Sequence, residues 1–161
     1  MMETRKVVLG ISLGTKYVGM AIMKSTVIYY CQIKRFTGKW SAAKCKHIIE
    51  TILKFTRTYG IKDIGVKVPI AYTRSKNLNE LFVALEKTAV QEGIILTAYS
   101  IKDLKRCCAT GVSNKKQLRE FISKRFSEMN FEQHKESSLK YHYYTKIFEA
   151  IASGLLSITK E

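Results

Sequence analysis

Val7-Val8-Leu9-Gly10-Ile11-Ser12-Leu13-Gly14-Thr15-Lys16-Tyr17-Val18-Gly19-Met20-Ala21-Ile22-Met23 is the stretch from which the fold is read. Val7–Ile11 is a short apolar run suited to a buried strand, Leu13–Lys16 supplies a turn, and Tyr17–Met23 returns as a second strand. Lys24-Ser25 then releases a third strand, Thr26–Ile33. Three consecutive strands joined by short turns make an antiparallel meander.

Beyond the meander the period changes. Ser41 is an N-cap, and Cys45, Ile48, Ile49, Ile52 and Phe55 follow at helical spacing, with Gly60 as the stop. Lys62–Val68 reads as a fourth strand ended by Pro69, the single proline of the chain. Leu78, Leu81, Phe82, Leu85 and Ala89 form the apolar stripe of a second helix closed by Gly93, and Ile94–Tyr99 is a fifth strand. A short helix over Ile101–Cys108, a break at Gly111, and a helix from Ser113 carrying Leu118, Phe121, Ile122 and Phe126 come next. The polar stretch Ser127–Ser138 leads to a last helix with Ile147, Ile151, Leu155 and Ile158. The order βββ-α-β-α-β-α-α predicts one α/β domain over residues 1–161, a mixed sheet of five strands with helices on both faces.

Charge gives the first functional direction. Twenty-eight Lys and Arg stand against thirteen Asp and Glu, a net +15 spread along the 161 residues. Folding needs no such excess, and self-repulsion opposes it, so a polyanionic partner is expected; a solvated surface kept for solubility is the plainer reading. No apolar run approaches the roughly 18 residues of a membrane-spanning helix. Met1–Lys6 lacks a signal-peptide apolar region, so a cytoplasmic location is expected. Cys31, Cys45, Cys107 and Cys108 form no C-x-x-C pair and read as small buried hydrophobes. Zinc held by Cys45, His47 and distant partners matches no usual ligand spacing.

Val8-Leu9-Gly10-Ile11-Ser12-Leu13-Gly14-Thr15 followed by Val18-Gly19-Met20-Ala21 resembles the first hairpin of the RuvC-type Holliday junction resolvases, within the RNase H-like superfamily. Asp63–Lys67 resembles their fourth strand, Lys102–Lys105 through Thr110–Lys116 a loop leading into a helix, and Phe148–Ala152 their last helix, so the resemblance runs in order along nearly the whole chain. It implies an RNase H-like fold. In that family two magnesium ions, held by four carboxylates, clamp the attacking and leaving oxygens of a phosphodiester. The corresponding positions in this chain are Ser12, Lys67, Lys146 and Glu149, one acid of four, and their formal charge is +1 rather than −4. A unit charge pair at ~4 Å interacts by roughly 4 kcal/mol at an effective dielectric near 20, so each lysine opposes a bound cation. Asp63 lies four residues before Lys67, roughly 13 Å away along a strand and at the wrong end. Glu132 and Glu136 precede the last helix.

Each position also has a plain structural reading. Ser12 is an ordinary strand-end serine. Lys67 lies on the face opposite Val66 and Val68, and a solvated lysine there needs no function. Lys146 and Glu149, one helical turn apart and away from the stripe of Ile147, read as a surface ion pair. His142, among Tyr141, Tyr143 and Tyr144, reads as packing or surface.

Lys115 and Lys116 fall in the first turn of the helix from Ser113, where the dipole disfavours cations and an incoming phosphate would relieve them. Lys102, Lys105 and Arg106 precede it, and ordinary surface lysines are the plainer reading there; Tyr72 and Arg74 follow the fourth strand and suit stacking or insertion at a base, with simple packing the plainer reading of Tyr72. With Lys16, Lys67 and Lys146 these complete the expected nucleic-acid contacts. The function expected is a catalytically degenerate resolvase homologue, without metal or cofactor, that binds structured or branched DNA. Its alternatives are an active magnesium-dependent nuclease built on Glu149 with other ligands, and a protein-interaction module on the same fold. Ile11–Thr15 also resembles the phosphate loop of the actin and chaperone ATPases, which close two such domains over ATP; this chain has room for one. The Leu78–Leu85 stripe is expected in the core, with a part of it at a two-fold interface if the chain forms a homodimer.

Overall fold

Period-two alternation sorts the side chains of the first strands onto two faces, and both faces are covered. The computed structural model describes residues 6–25, 27–69, 74–106, 117, 122, 124–125 and 141–159, with 106 and 141–145 described by backbone alone. Strands β1 (Val7–Ser12), β2 (Tyr17–Lys24) and β3 (Val27–Arg35) form the meander; β4 (Asp63–Lys67) and β5 (Ile95–Tyr99) follow helices α1 (Ala42–Tyr59) and α2 (Lys76–Gln91). Helix α3 (Ile101–Arg106) comes next and the last helix, here α4, spans Tyr141–Thr159. The sheet order is β3-β2-β1-β4-β5, antiparallel through β1–β2 and β2–β3 and parallel through β1–β4 and β4–β5. The predicted mixed sheet of five strands is the one present, with β3 continuing past Ile33 to Arg35.

Leu9, Ile11 and Leu13 of β1 and its continuation point to the face covered by α1 and α2, where Ile48, Ile52, Leu81 and Leu85 are buried. Val8 points to the opposite face, where Leu104, Ile122, Ile147, Ile151 and Leu155 pack. Ser41 caps α1 as its spacing predicts, its hydroxyl accepting the Lys44 N–H at 3.1 Å. Gln117, Ile122, Lys124 and Arg125 are helical, within the segment where a helix from Ser113 is expected.

Helix α4 meets the sheet differently from its apolar pattern. Besides Ile147, Ile151 and Leu155, the side of Glu149, Ala150 and Ser153 is also buried. This contact depends on glycine beneath it. A Cβ at Gly10 would stand 1.9 Å from the Ala150 carbonyl oxygen, and one at Gly65 would stand 2.4 Å from that of Ser153. Such distances are far inside van der Waals contact, so α4 lies directly on the backbone of β1 and β4.

Cys31 and Cys45 are half-buried rather than fully buried, and neither is in a disulfide. Burial raises both thiols above their ordinary range, with Glu80 adding to the effect at Cys45. The other two cysteines lie outside the described residues. Among the described residues no helix is long and apolar enough to cross a membrane.

Candidate functional site

The parallel strands β1, β4 and β5 end at one edge of the sheet, where α/β folds present their ligand sites. Ser12 is the last residue of β1, Lys67 the last of β4, and the two are register partners. The Leu13 N–H donates to the Lys67 carbonyl at 3.1 Å and ties the two strand ends together. Because β1 and β4 run in register, Ser12 and Lys67 share the face on which α4 lies. That helix supplies Lys146 and Glu149.

The four positions named from the sequence therefore converge. Ser12 Oγ donates to Glu149 Oε1 at 3.1 Å, and Lys67 Nζ stands 2.9 Å from Glu149 Oε2. Lys146 Nζ donates to the Leu13 carbonyl at 3.5 Å, where the chain leaves β1. The Glu149 side chain is 3% exposed and that of Lys67 13%. Two plain readings are thereby corrected. Lys67 is not a solvated lysine on an open face, because α4 covers it. Glu149 is not a surface acid: its side chain faces the sheet and pairs across it with Lys67.

Both carboxylate oxygens are engaged from inside the protein. Two hard cations a few Å apart need several anionic oxygens, and at these positions Glu149 supplies the anionic ones, against Lys67 and Lys146. The four described residues at these positions do not by themselves fit a two-metal centre. Among the described residues, no three His, Cys, Asp or Glu side chains come close enough to hold an ion. Asp63 sits at the opposite end of β4, 3.3 Å from Lys6. Asp103 is turned back on its own helix, accepting from the Ser100 N–H at 2.8 Å and the Ser100 hydroxyl at 3.1 Å. Glu132 and Glu136 lie outside the described residues. A nucleophilic role for Ser12 is unsupported by the geometry, since it is fully buried and its hydroxyl is directed at Glu149.

The remaining expected contacts are distributed as follows. Lys16 is exposed in the β1–β2 turn at the same sheet edge. Lys102 is exposed and Lys105 half-exposed on α3, which starts where β5 ends; Arg106 closes that helix. Arg74 is engaged within the protein: Nε donates to the Pro69 carbonyl at 2.7 Å, Nη1 to Asn79 Oδ1 at 3.3 Å, and the guanidinium lies 4.5 Å from the Phe82 ring centre. Tyr72, Lys115 and Lys116 lie outside the described residues, as does the side chain of His142. Leu81 and Leu85 are buried in the protein's own core, and Val83 and Val90 are the large apolar side chains that α2 exposes.

Sequence reasoning missed the stripe Ala150, Ser153, Gly154 and Ser157 on α4. With Gly10 and Gly65 it signals close helix–sheet packing, which is what buries Glu149.

No protein-family model matches the chain, and comparison with curated protein sequences finds no match. Solved structures do match over nearly the full length. RuvC of Thermus thermophilus superposes with a TM-score of 0.70 at 15% identity, over 92% of this chain and 91% of that one. The same protein in complex with a Holliday junction substrate gives 0.65 at 16% identity, over 93% and 90%. The Fowlpox virus resolvase in complex with Holliday junction DNA gives 0.61 at 12% identity, over 94% and 96%. The fold is that of the RuvC-type, RNase H-like proteins.

Proposed function

We propose that this chain, built on the RuvC-type fold, is a nucleic-acid-binding protein that does not cut by two-metal catalysis. It binds branched or structured DNA through its basic residues. One observation carries the reading: Lys67 and Ser12 occupy both oxygens of Glu149, the single acid among the four corresponding positions. Metal entry would have to displace a lysine ammonium from a largely buried carboxylate and then tolerate it nearby. The site's net +1 instead suits a phosphate, and the overall +15 suits long-range attraction to a polyanion. Two of the superposed solved structures hold Holliday junction DNA, which supports choosing a junction as the first ligand to try.

Gel-shift titrations of a four-way junction, a duplex and a single strand, at two salt concentrations and with magnesium present, test the reading. Binding that weakens steeply with salt and leaves the DNA intact is expected. Negligible binding to all three at low salt discards it. Magnesium-dependent cleavage of the junction that disappears in Glu149→Ala would establish the active nuclease instead.

A further inference from the structure

The sheet edge that carries Ser12 and Lys67 continues past the β1–β2 turn to a second feature. β2 begins and β3 ends at this edge, with Tyr17 paired to Arg35 and the Phe36 N–H donating to the Lys16 carbonyl at 2.8 Å. Lys16 and Arg35 thus lie one position apart on the β2–β3 ladder, Arg35 opposite Tyr17 and Lys16 opposite Phe36. Together with Thr15, Trp40 and Lys44, and with Asn77 at the start of α2, they line a cleft of about 400 Å³. Lys44 Nζ donates to the Gly38 carbonyl at 2.9 Å, and Trp40 Nε1 donates to Glu80 Oε2 at 2.9 Å, so the ammonium and the indole are both held.

The sign of its charge distinguishes this cleft from the groove beside it. Among its described lining residues are three cations and no Asp or Glu. The neighbouring groove between α1 and α2 is mixed, with Lys46 beside Glu50, Glu80 and Glu92. Arg57 meets Glu92 and Lys46 meets Glu50 on the α1 side of that groove. A cationic surface kept for solubility has no reason to concentrate three positive groups in a concavity, where their repulsion is strongest.

We infer that this cleft holds the phosphodiester backbone of a nucleic-acid strand leading away from the Ser12–Glu149 corner. Lys16, Arg35 and Lys44 contact the phosphates, with Trp40 beside the bases. The inference rests on the nucleic-acid reading above and adds a surface on the α1 and α2 side of the sheet.

Trp40 is the single tryptophan of the chain and lines both this cleft and the adjoining α1–α2 groove, so its emission reports on that corner of the surface. The experiment titrates a fluorescence-silent single-stranded oligonucleotide into the full chain, following Trp40 emission and gel shift together. The variants are Lys16→Gln/Arg35→Gln/Lys44→Gln, the milder Lys16→Gln/Arg35→Gln, and a control removing three exposed lysines outside the cleft, Lys46→Gln/Lys54→Gln/Lys87→Gln. Circular dichroism confirms that each is folded. In the wild type the emission change should follow the gel-shift isotherm. The triple cleft variant should bind about tenfold or more weakly, with its log–log salt slope smaller by about 2, and the double variant's by about 1.4. A wild type that binds with silent Trp40 emission, or a cleft variant no weaker than the control, overturns the cleft and leaves the nucleic-acid reading standing. Absence of a gel shift with the single strand at low salt overturns the cleft, and absence with the four-way junction and the duplex as well overturns both.

Discussion

A carboxylate that is 3% exposed must find its counter-charge inside the protein, and Glu149 finds Lys67 at 2.9 Å. Desolvating two charges offsets most of what their attraction gains, whereas removing one partner leaves a buried charge uncompensated. Lys67→Met should therefore destabilise the fold by about 3–5 kcal/mol in urea unfolding, and Lys67→Met/Glu149→Leu should recover most of that loss. If the double variant is as unstable as the single one, the pair is not what holds this corner. Ser12→Ala removes one buried hydrogen bond to a charged group and should cost about 1.5–3 kcal/mol by the same measurement. The sequence placed these residues well in one respect and poorly in another. Strand alternation put Lys67 on the face opposite Val66 and Val68, and the family spacing put Ser12, Lys146 and Glu149 with it. Their burial was not legible, because a lysine and a glutamate carry no sign of whether a helix will lie over them.

At the scale of elements, the strands were legible because each is a short apolar run bounded by turn residues. α1 was legible through Ser41, its apolar stripe and Gly60. α4 was read from one of its two buried sides only. Its large residues Ile147, Ile151 and Leu155 draw attention as the core stripe, but the small ones decide how close it comes to the sheet and so where Glu149 points. Gly10 is the sharpest test of that contact. A methyl there would meet the Ala150 carbonyl oxygen at 1.9 Å and the Gly154 nitrogen at 2.6 Å, both backbone atoms that move only with the whole helix. Gly10→Ala should destabilise by more than the ~1–3 kcal/mol usual for overpacking, and it should do so by lifting α4. Amide hydrogen exchange across residues 146–157 would then rise with little change in α1. Equal loss of protection in both helices would mean the fold fails as one unit and α4 has no separate seat.

The whole molecule carries +15, and its described ion pairs are few: Lys6–Asp63, Lys46–Glu50, Arg57–Glu92 and Lys67–Glu149. Uncompensated charge of this size makes two demands of opposite sign on the same surface. Within the free protein the cations repel one another, so screening them should stabilise the fold as the Debye length falls from about 30 Å at 0.01 M to about 10 Å at 0.1 M salt. Each kcal/mol of repulsion relieved should raise Tm by about 2–4 °C for a domain of this size. Toward nucleic acid the same cations displace condensed counterions, and with about six phosphate contacts the affinity should fall roughly a thousandfold between about 50 and 200 mM salt. Tm and Kd measured across one sodium chloride series should therefore rise together, a hotter-melting protein being also the weaker binder. If the charge served solubility alone, Tm would rise in the same way and no binding would be present to lose. If favourable ion pairs dominated the free protein, Tm would fall with added salt, and the excess positive charge would not be held against self-repulsion at all.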